Sequence, residues 1–385
     1  MNAAPGQRID DIELLRACAV LLVVLEHAHG NLIAWPNAAF DTFNRHFNGA
    51  AGVDLFFAIS GFVIARVLLP RLAACNNHAA FIRTSIAFWI RRAWRILPSA
   101  WLWLAIILTA TWGFNRSGAF GSFDATAAGS IAAVLQFYNL HFAHCFMSYD
   151  CGANFFYWSL SLEEQFYLVL PLLIFLCRRH PRGLVTVLIG LVLLQLLTQR
   201  SLLGVTFRTD ALLLGVLIAI AASRNGERRQ MPNLLVPPRF IRSPLTLALL
   251  AAIAAAATSD WTFAPYRFGI VALLSAFLVW LASFDASYLM ATSPTKRVLL
   301  WIGSRSYAIY LIHVPAFFAT RELWFRSAAP GTTFDASWTL PFVLSAVTLI
   351  GVLAELNYRL VESPLRQHGT TIAARYAARS PSAAT

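Results

Sequence analysis

Arg16 and His27 lie eleven positions apart inside one apolar run, residues 12–29, flanked by Glu13 and Glu26. On a helix that spacing puts both on one face, roughly 16 Å apart along the axis at ~1.5 Å per residue. Ionisable groups inside a membrane helix are expensive and mark functional sites more often than packing sites. An imidazole that titrates near neutrality can take a proton from a hydroxyl nucleophile. A guanidinium offers a fixed fork of donors to phosphate or carboxylate oxygens. A cation at one end of the segment and a base at the other suggest chemistry along a path through a bilayer.

Further ionisable residues interrupt later apolar runs. Asp54 stands at the start of the run 51–70, where a carboxylate can either complement a helix dipole or orient a His or Arg. Arg91, Arg92 and Arg95 precede Pro98, and the spacing of Arg92 and Arg95 puts them on adjacent positions of one helical face. Such forks suit the phosphates of a nucleotide-like donor, although a solvated basic cluster has the same composition. Glu163 and Glu164 open the run 157–177; adjacent residues point about 100° apart, so only one can face a given cavity. Ser159 and Ser161 lie close by, but nothing resembling a nucleophile elbow surrounds them. Arg208 with Asp210, Arg305 through His313, and Glu355 through Glu362 are expected to form helix-to-helix ion pairs, with His313 a second candidate for the cavity of His27. There is no P-loop, no dinucleotide fingerprint and no His or Cys set with metal-ligand spacing, so no metal is expected.

These residues need elements to hold them. The chain of 385 residues is 58% hydrophobic and only 12% charged, about half the charged fraction of a soluble domain. The expected fold is an all-α polytopic membrane bundle of about ten helices. The spans are expected at 12–29, 51–70, 97–113, 157–177, 182–198, 208–223, 244–258, 265–283, 299–320 and 338–360. An amphipathic basic helix is expected at the surface over 81–95, and 128–142 is read as a short or re-entrant element. The first run carries charges and lacks a basic leader and a cleavage site, so it is read as a retained helix rather than a signal peptide.

The net charge of +12 follows one side of this topology rather than marking a nucleic-acid surface. With the N-terminus inside, the inner loops hold clusters such as Arg178, Arg179 and Arg182, and Arg224, Arg228 and Arg229. The outer loops hold only Arg45, Arg116, Arg200, Arg321 and Arg326. This positive-inside pattern puts both termini in the cytoplasm. Cys145 and Cys151 fall in one outer loop, where an oxidising compartment would let them close a small ring; Cys18, Cys75 and Cys177 are expected to be free. The tail from 367 to 385 is read as short, cytoplasmic and disordered.

Taken in order, the motifs resemble those of the membrane-bound acyltransferase-3 family over about residues 8–366. Arg16 with His27, 52–62, Arg91–Pro98, Trp158–Tyr167, Gly303–Pro315 and Tyr358–Pro364 correspond to six family motifs, with Ser363 a departure in the last. The resemblance implies a ten-helix domain in a bacterial inner membrane that takes acetyl-CoA from the cytoplasm and acylates a carbohydrate hydroxyl of a surface or lipid-linked glycan. It implies His27 as catalytic base, with Asp54 and Glu163 orienting or assisting it. Arg16, Arg91, Arg92 and Arg95 would bind the donor, Arg16 along the pantetheine path. Direct transfer and an acetyl-histidine intermediate both fit, as does a longer acyl group such as succinyl. Some relatives carry an added periplasmic hydrolase-like domain, so this chain is expected to complete transfer unaided or hand the acyl group to a separate protein. Two other classes fit the composition: a transporter or flippase of a lipid-linked sugar, and a structural partner in an export complex.

Overall fold

The computed structural model describes residues 8–146, 148–224, 238–258 and 266–378, and among them the chain is all-helical with no strand. The helices are α1 (Asp10–Asn31), α2 (Ala38–His46), α3 (Ala51–Ala73), α4 (His78–Gly113), α5 (Phe123–Val134), α6 (Tyr138–Cys145), α7 (Trp158–Cys177) and α8 (Pro181–Leu197). They continue with α9 (Leu202–Thr206), α10 (Asp210–Arg224), α11 (Arg239–Ala256), α12 (Arg267–Ala282), α13 (Pro294–Ser304), α14 (Ser306–Ser327), α15 (Thr339–Asn357) and α16 (Ser363–Ala378). Among the described residues, six helical stretches are long and apolar enough to cross a membrane: 51–73, 78–113, 155–177, 202–223, 239–256 and 336–378. Residues 123–134, 182–197 and 267–282 form shorter apolar helices.

The helices α1, α3 and α14 make the centre of the bundle. Leu14, Leu15, Leu55, Leu311 and Val314 are fully buried there. Helices that are apolar on all sides must be covered on all sides, by protein or by lipid. Close approach is obtained with small residues. Gly61 on α3 abuts the Leu212 carbonyl of α10, and Gly215 on α10 abuts the Ala58 carbonyl of α3. A Cβ at either position would strike backbone, so this reciprocal pair sets the spacing of the two helices. Buried ion pairs tie distant elements together: Lys296 to Asp11 at 3.1 Å, and Arg200 to Asp210 at 2.6 Å. Cys145 and Cys151 are joined by a disulfide, while Cys18, Cys75 and Cys177 are free.

Several elements depart from the expectation. The surface helix at 81–95 and the span at 97–113 are one helix, α4, capped by Asn77, whose side chain accepts from the Ala80 amide. Pro98 sits inside it without ending it, and no stop signal separates the two parts. The span at 299–320 is divided at Arg305, where the backbone leaves helical geometry and the guanidinium reaches Glu355 at 2.9 Å. The stretch 128–142 falls into two short helices, α5 and α6, separated at Gln136, which has positive φ. Residues 367–378, expected in a disordered tail, belong to α16. That helix lies along α4, with Gly369 against Trp94 and the His368 ring 4.9 Å from the Trp94 ring. The rest of the expected tail, 379–385, lies outside the described residues.

Candidate active site

Arg16, Arg92, Arg95 and Glu163, from three different helices and three motifs far apart in sequence, line one interior cavity of about 90 Å³. Glu163 reaches it from the second turn of α7, on the face turned to α3, where the Ser60 and Tyr167 hydroxyls both donate to its carboxylate. Those two hydroxyls lie 2.6 Å apart. Arg92 covers the Tyr167 ring at 4.7 Å, which fixes its guanidinium beside the same carboxylate. Glu164 does not line this cavity; its Oε1 is buried with no hydrogen-bond partner among the described residues.

Arg16, Arg95, Ser306 and Tyr307 also line a second, larger cavity of about 420 Å³, so the two adjoin. Arg8, Arg66 and Arg366 add three more guanidinium groups to it, against the carboxylates of Glu13 and Glu362. Arg16 is held by Glu13 at 2.7 Å. Glu362 and Tyr358 enter the wall because the chain takes a single π-helical turn, Tyr358–Glu362, between α15 and α16. Such turns re-aim side chains and recur at functional sites. The cavity therefore presents an excess of cationic forks, suited to a polyanion.

The far end of α1 carries a different group. His27 Nδ1 lies 2.7 Å from His313 Nε2, with the rings stacked 5.0 Å apart. His313 Nδ1 lies 2.7 Å from the Tyr310 carbonyl, which can only accept, so Nδ1 carries the proton. A neutral His313 then accepts at Nε2, His27 donates from Nδ1, and the lone pair of His27 is left on Nε2. That is the tautomer a general base needs. His313 is fully buried, and His27 is half-buried. Phe155, Phe156 and Phe317 pack their rings on the pair at 5.2–6.0 Å. The interior cavity stops one turn short, at Tyr310 and Ser159. Tyr310 donates to the Phe156 carbonyl at 2.8 Å, so Ser159 donates to the Tyr310 oxygen at 2.6 Å. Ser159 is thus engaged with a phenol and not with a base.

Three candidates are not placed as expected: Glu163, expected to orient or assist His27, is engaged instead by Ser60 and Tyr167, and Asp54 and Arg91 lie outside both groups. Asp54 accepts from Arg208 Nε at 2.8 Å and Nη2 at 3.0 Å, both side chains buried, so it orients an arginine and not His27. Its neighbour in sequence, Val53, lines the cavity instead. Arg91 lines neither cavity, being turned to another side of α4 from Arg92 and Arg95. Ser60 and Arg366 have no site role in the sequence reading, and Tyr307 and Tyr310 enter it only as part of the segment 303–315. The i, i+3 series Tyr307, Tyr310, His313 carried a signal, since it puts all three on one face of α14.

The sequence profile of the acyltransferase domain matches residues 9–356. The peptidoglycan O-acetyltransferase OatA of Listeria monocytogenes is 29% identical over 392 residues, covering 94% of this chain and 56% of that protein. The O-acetyltransferase OatA of Staphylococcus aureus is 26% identical over 380 residues, covering 92% of this chain and 57% of that protein. The chain therefore spans little more than half the length of these curated relatives. No solved structure matches it. With the profile running from the start of α1 into α15, over the interior cavity and the histidine pair, the chain belongs to the acyltransferase-3 family.

Proposed function

We propose that the protein is an integral membrane O-acetyltransferase that moves an acetyl group from cytoplasmic acetyl-CoA to a carbohydrate hydroxyl on the other side of the bilayer. The observation that carries this reading is the division of labour along α1. A cavity lined by the guanidinium groups of Arg8, Arg16, Arg66, Arg95 and Arg366 lies at one end, and a hydrogen-bonded histidine pair sits roughly 16 Å away at the other. An extended pantetheine arm is long enough to bridge that distance. The topology that goes with it has about ten spans, both termini in the cytoplasm, in a bacterial inner membrane. The arginine asymmetry supports it. So does the Cys145–Cys151 disulfide, a bond of oxidising compartments, four residues before Phe155 and its contact with His27.

In this mechanism His27 Nε2 takes the acceptor hydroxyl proton while its Nδ1–H goes on donating to His313 Nε2. The hydroxyl oxygen attacks the thioester carbonyl, the tetrahedral intermediate collapses, and the C–S bond breaks. The imidazolium then returns its proton to the departing thiolate. Arg16, Arg95 and Arg366 hold the phosphates of the donor, and Glu163 keeps Arg92 in place. The relatives are named for peptidoglycan, and a glycan of that kind is the first acceptor to test.

The test is release of CoA from radiolabelled acetyl-CoA by purified protein in lipid nanodiscs, with a surface-glycan extract as acceptor. Wild type is compared with His27→Ala and Arg16→Ala. Release and label transfer that vanish in both folded variants support the reading. Wild-type protein that neither binds nor consumes acetyl-CoA refutes it and favours a carrier of lipid-linked sugar.

A further inference from the structure

A third cavity, of about 250 Å³, opens beyond the histidine pair and belongs to neither donor-side cavity. Trp35, Phe334, Phe342 and Arg321 line it. Trp35 meets Phe342 edge-on at 4.9 Å, and Phe334 meets it at 5.2 Å, so the wall is a rigid set of aromatic faces. Trp35 is fixed further by donating from Nε1 to the Thr339 hydroxyl at 3.2 Å. The half-buried Arg321 stands among these rings. Among the described residues its guanidinium makes one hydrogen bond, at 3.4 Å, to the carbonyl of Asn31. Among the described residues no carboxylate pairs with it. The adjacent Glu322 is already engaged by the Arg116 and Ser117 amides, at 2.9 and 2.7 Å, and by Arg326.

The cavity is coupled to the reacting end. Asn31 donates from its side chain to the His27 carbonyl at 2.8 Å. On α14, Arg321 follows His313 by eight residues, roughly 12 Å along the axis. A half-buried guanidinium without a counterion is unfavourable unless a ligand supplies the anion. Aromatic faces beside it suit the apolar C–H face of a sugar ring. Resting on the acyltransferase reading, we propose that this cavity is an acceptor subsite: it seats a sugar ring bearing an anionic group, carboxylate or phosphate, one or two rings from the hydroxyl presented to His27. Arg321 recognises the anion and the aromatic wall recognises the ring.

Binding is measured on the full chain in neutral-lipid nanodiscs without acetyl-CoA, by titration calorimetry. The probes are N-acetylglucosaminyl-N-acetylmuramic acid for the carboxylate, chitobiose 1-phosphate for the phosphate, and neutral chitobiose. The expected result is that at least one anionic probe binds roughly tenfold or more tightly than chitobiose. The better anion identifies the source of the charge. Arg321→Gln removes the difference and leaves chitobiose binding unchanged. Arg321→Lys, which keeps the charge but loses the fork, restores part of it, and Phe334→Ala weakens all three probes. Equal affinity for the three probes in wild type overturns the proposal, as does an anion preference that survives Arg321→Gln. Because the assay needs no transfer, an anion preference in a protein that never consumes acetyl-CoA would sink the acyltransferase reading alone. Transfer without the preference would sink this inference alone.

Discussion

Replacing His313 with leucine removes the acceptor that orders His27 while leaving a side chain of similar bulk in the aromatic collar. In the resting enzyme the 2.7 Å contact joins two neutral rings, a class of bond worth about 1 kcal/mol net. Once His27 has taken the substrate proton, the donor is ionised, and such bonds are worth about 1.5–3 kcal/mol. The difference, about 0.5–2 kcal/mol, is stabilisation available only as the proton moves, which lowers the barrier and not the ground state. At about 1.4 kcal/mol per factor of ten, it corresponds to about a 2- to 30-fold effect on kcat. Without His313 the neutral His27 also samples the tautomer protonated at Nε2, which cannot act as a base. Together these put the expected fall in kcat at roughly 10- to 100-fold, with KM for acetyl-CoA unchanged. The assay is steady-state transfer in nanodiscs with both substrates varied, alongside a melting curve to establish folding. A folded His313→Leu protein that keeps kcat within twofold, or that changes only KM, would refute the assignment of His313 as the residue that positions His27.

Asp54→Ala leaves the buried Arg208 guanidinium unpaired and is expected to lower stability by about 3–5 kcal/mol, while Arg208→Met in the same chain recovers much of the loss. A stable Asp54→Ala protein defective only in kcat would show instead that Asp54 serves the chemistry. Arg366→Ala is expected to raise KM for acetyl-CoA roughly tenfold and leave KM for acetyl-pantetheine, which has no nucleotide phosphates, unmoved; equal effects on both donors would exclude a phosphate contact. In intact spheroplasts a membrane-impermeant maleimide should label Cys145 and Cys151 only after reduction, and Cys75 and Cys177 only after permeabilisation. Labelling of Cys75 or Cys177 from outside reverses the topology.

Residues whose partners are set by helical spacing were legible without coordinates. Arg16 and His27 share a face, Arg92 and Arg95 point together, and only one of Glu163 and Glu164 can meet them. Each follows from 100° per residue. The partners contributed by distant segments were not legible. Asp54 finds Arg208 across 154 positions, and although His313 was a candidate for the cavity of His27, the direct contact between the two rings across 286 positions was not readable. Neither distance leaves a trace in local pattern. Two of the boundaries that failed did so for a shared reason. The Arg91–Arg95 stretch looks like a surface helix because guanidinium groups favour water, yet carboxylates at Glu163 and Glu362 give Arg92 and Arg95 an interior setting. Likewise α16 is polar enough to pass for a loose tail, and its order comes from the fit of Gly369 beneath Trp94, a contact made by another part of the chain.

The packed collar of Phe156, Tyr310 and His313 has a consequence for the cell as a whole. On the proposed mechanism, an enzyme that carries acyl groups from one face of an energised membrane to the other risks becoming a proton leak. Each charge falling through 100 mV dissipates about 2.3 kcal/mol. The water-sized space around Arg16 and Arg95 ends against rings and a phenol whose hydroxyl is already committed to a backbone carbonyl. No hydrated file of solvent needs to cross that layer for a slender acyl thioester to be threaded into it, and hydrophobic constrictions of this kind exclude water. The same few side chains that order His27 would then also act as the seal that preserves the electrochemical gradient.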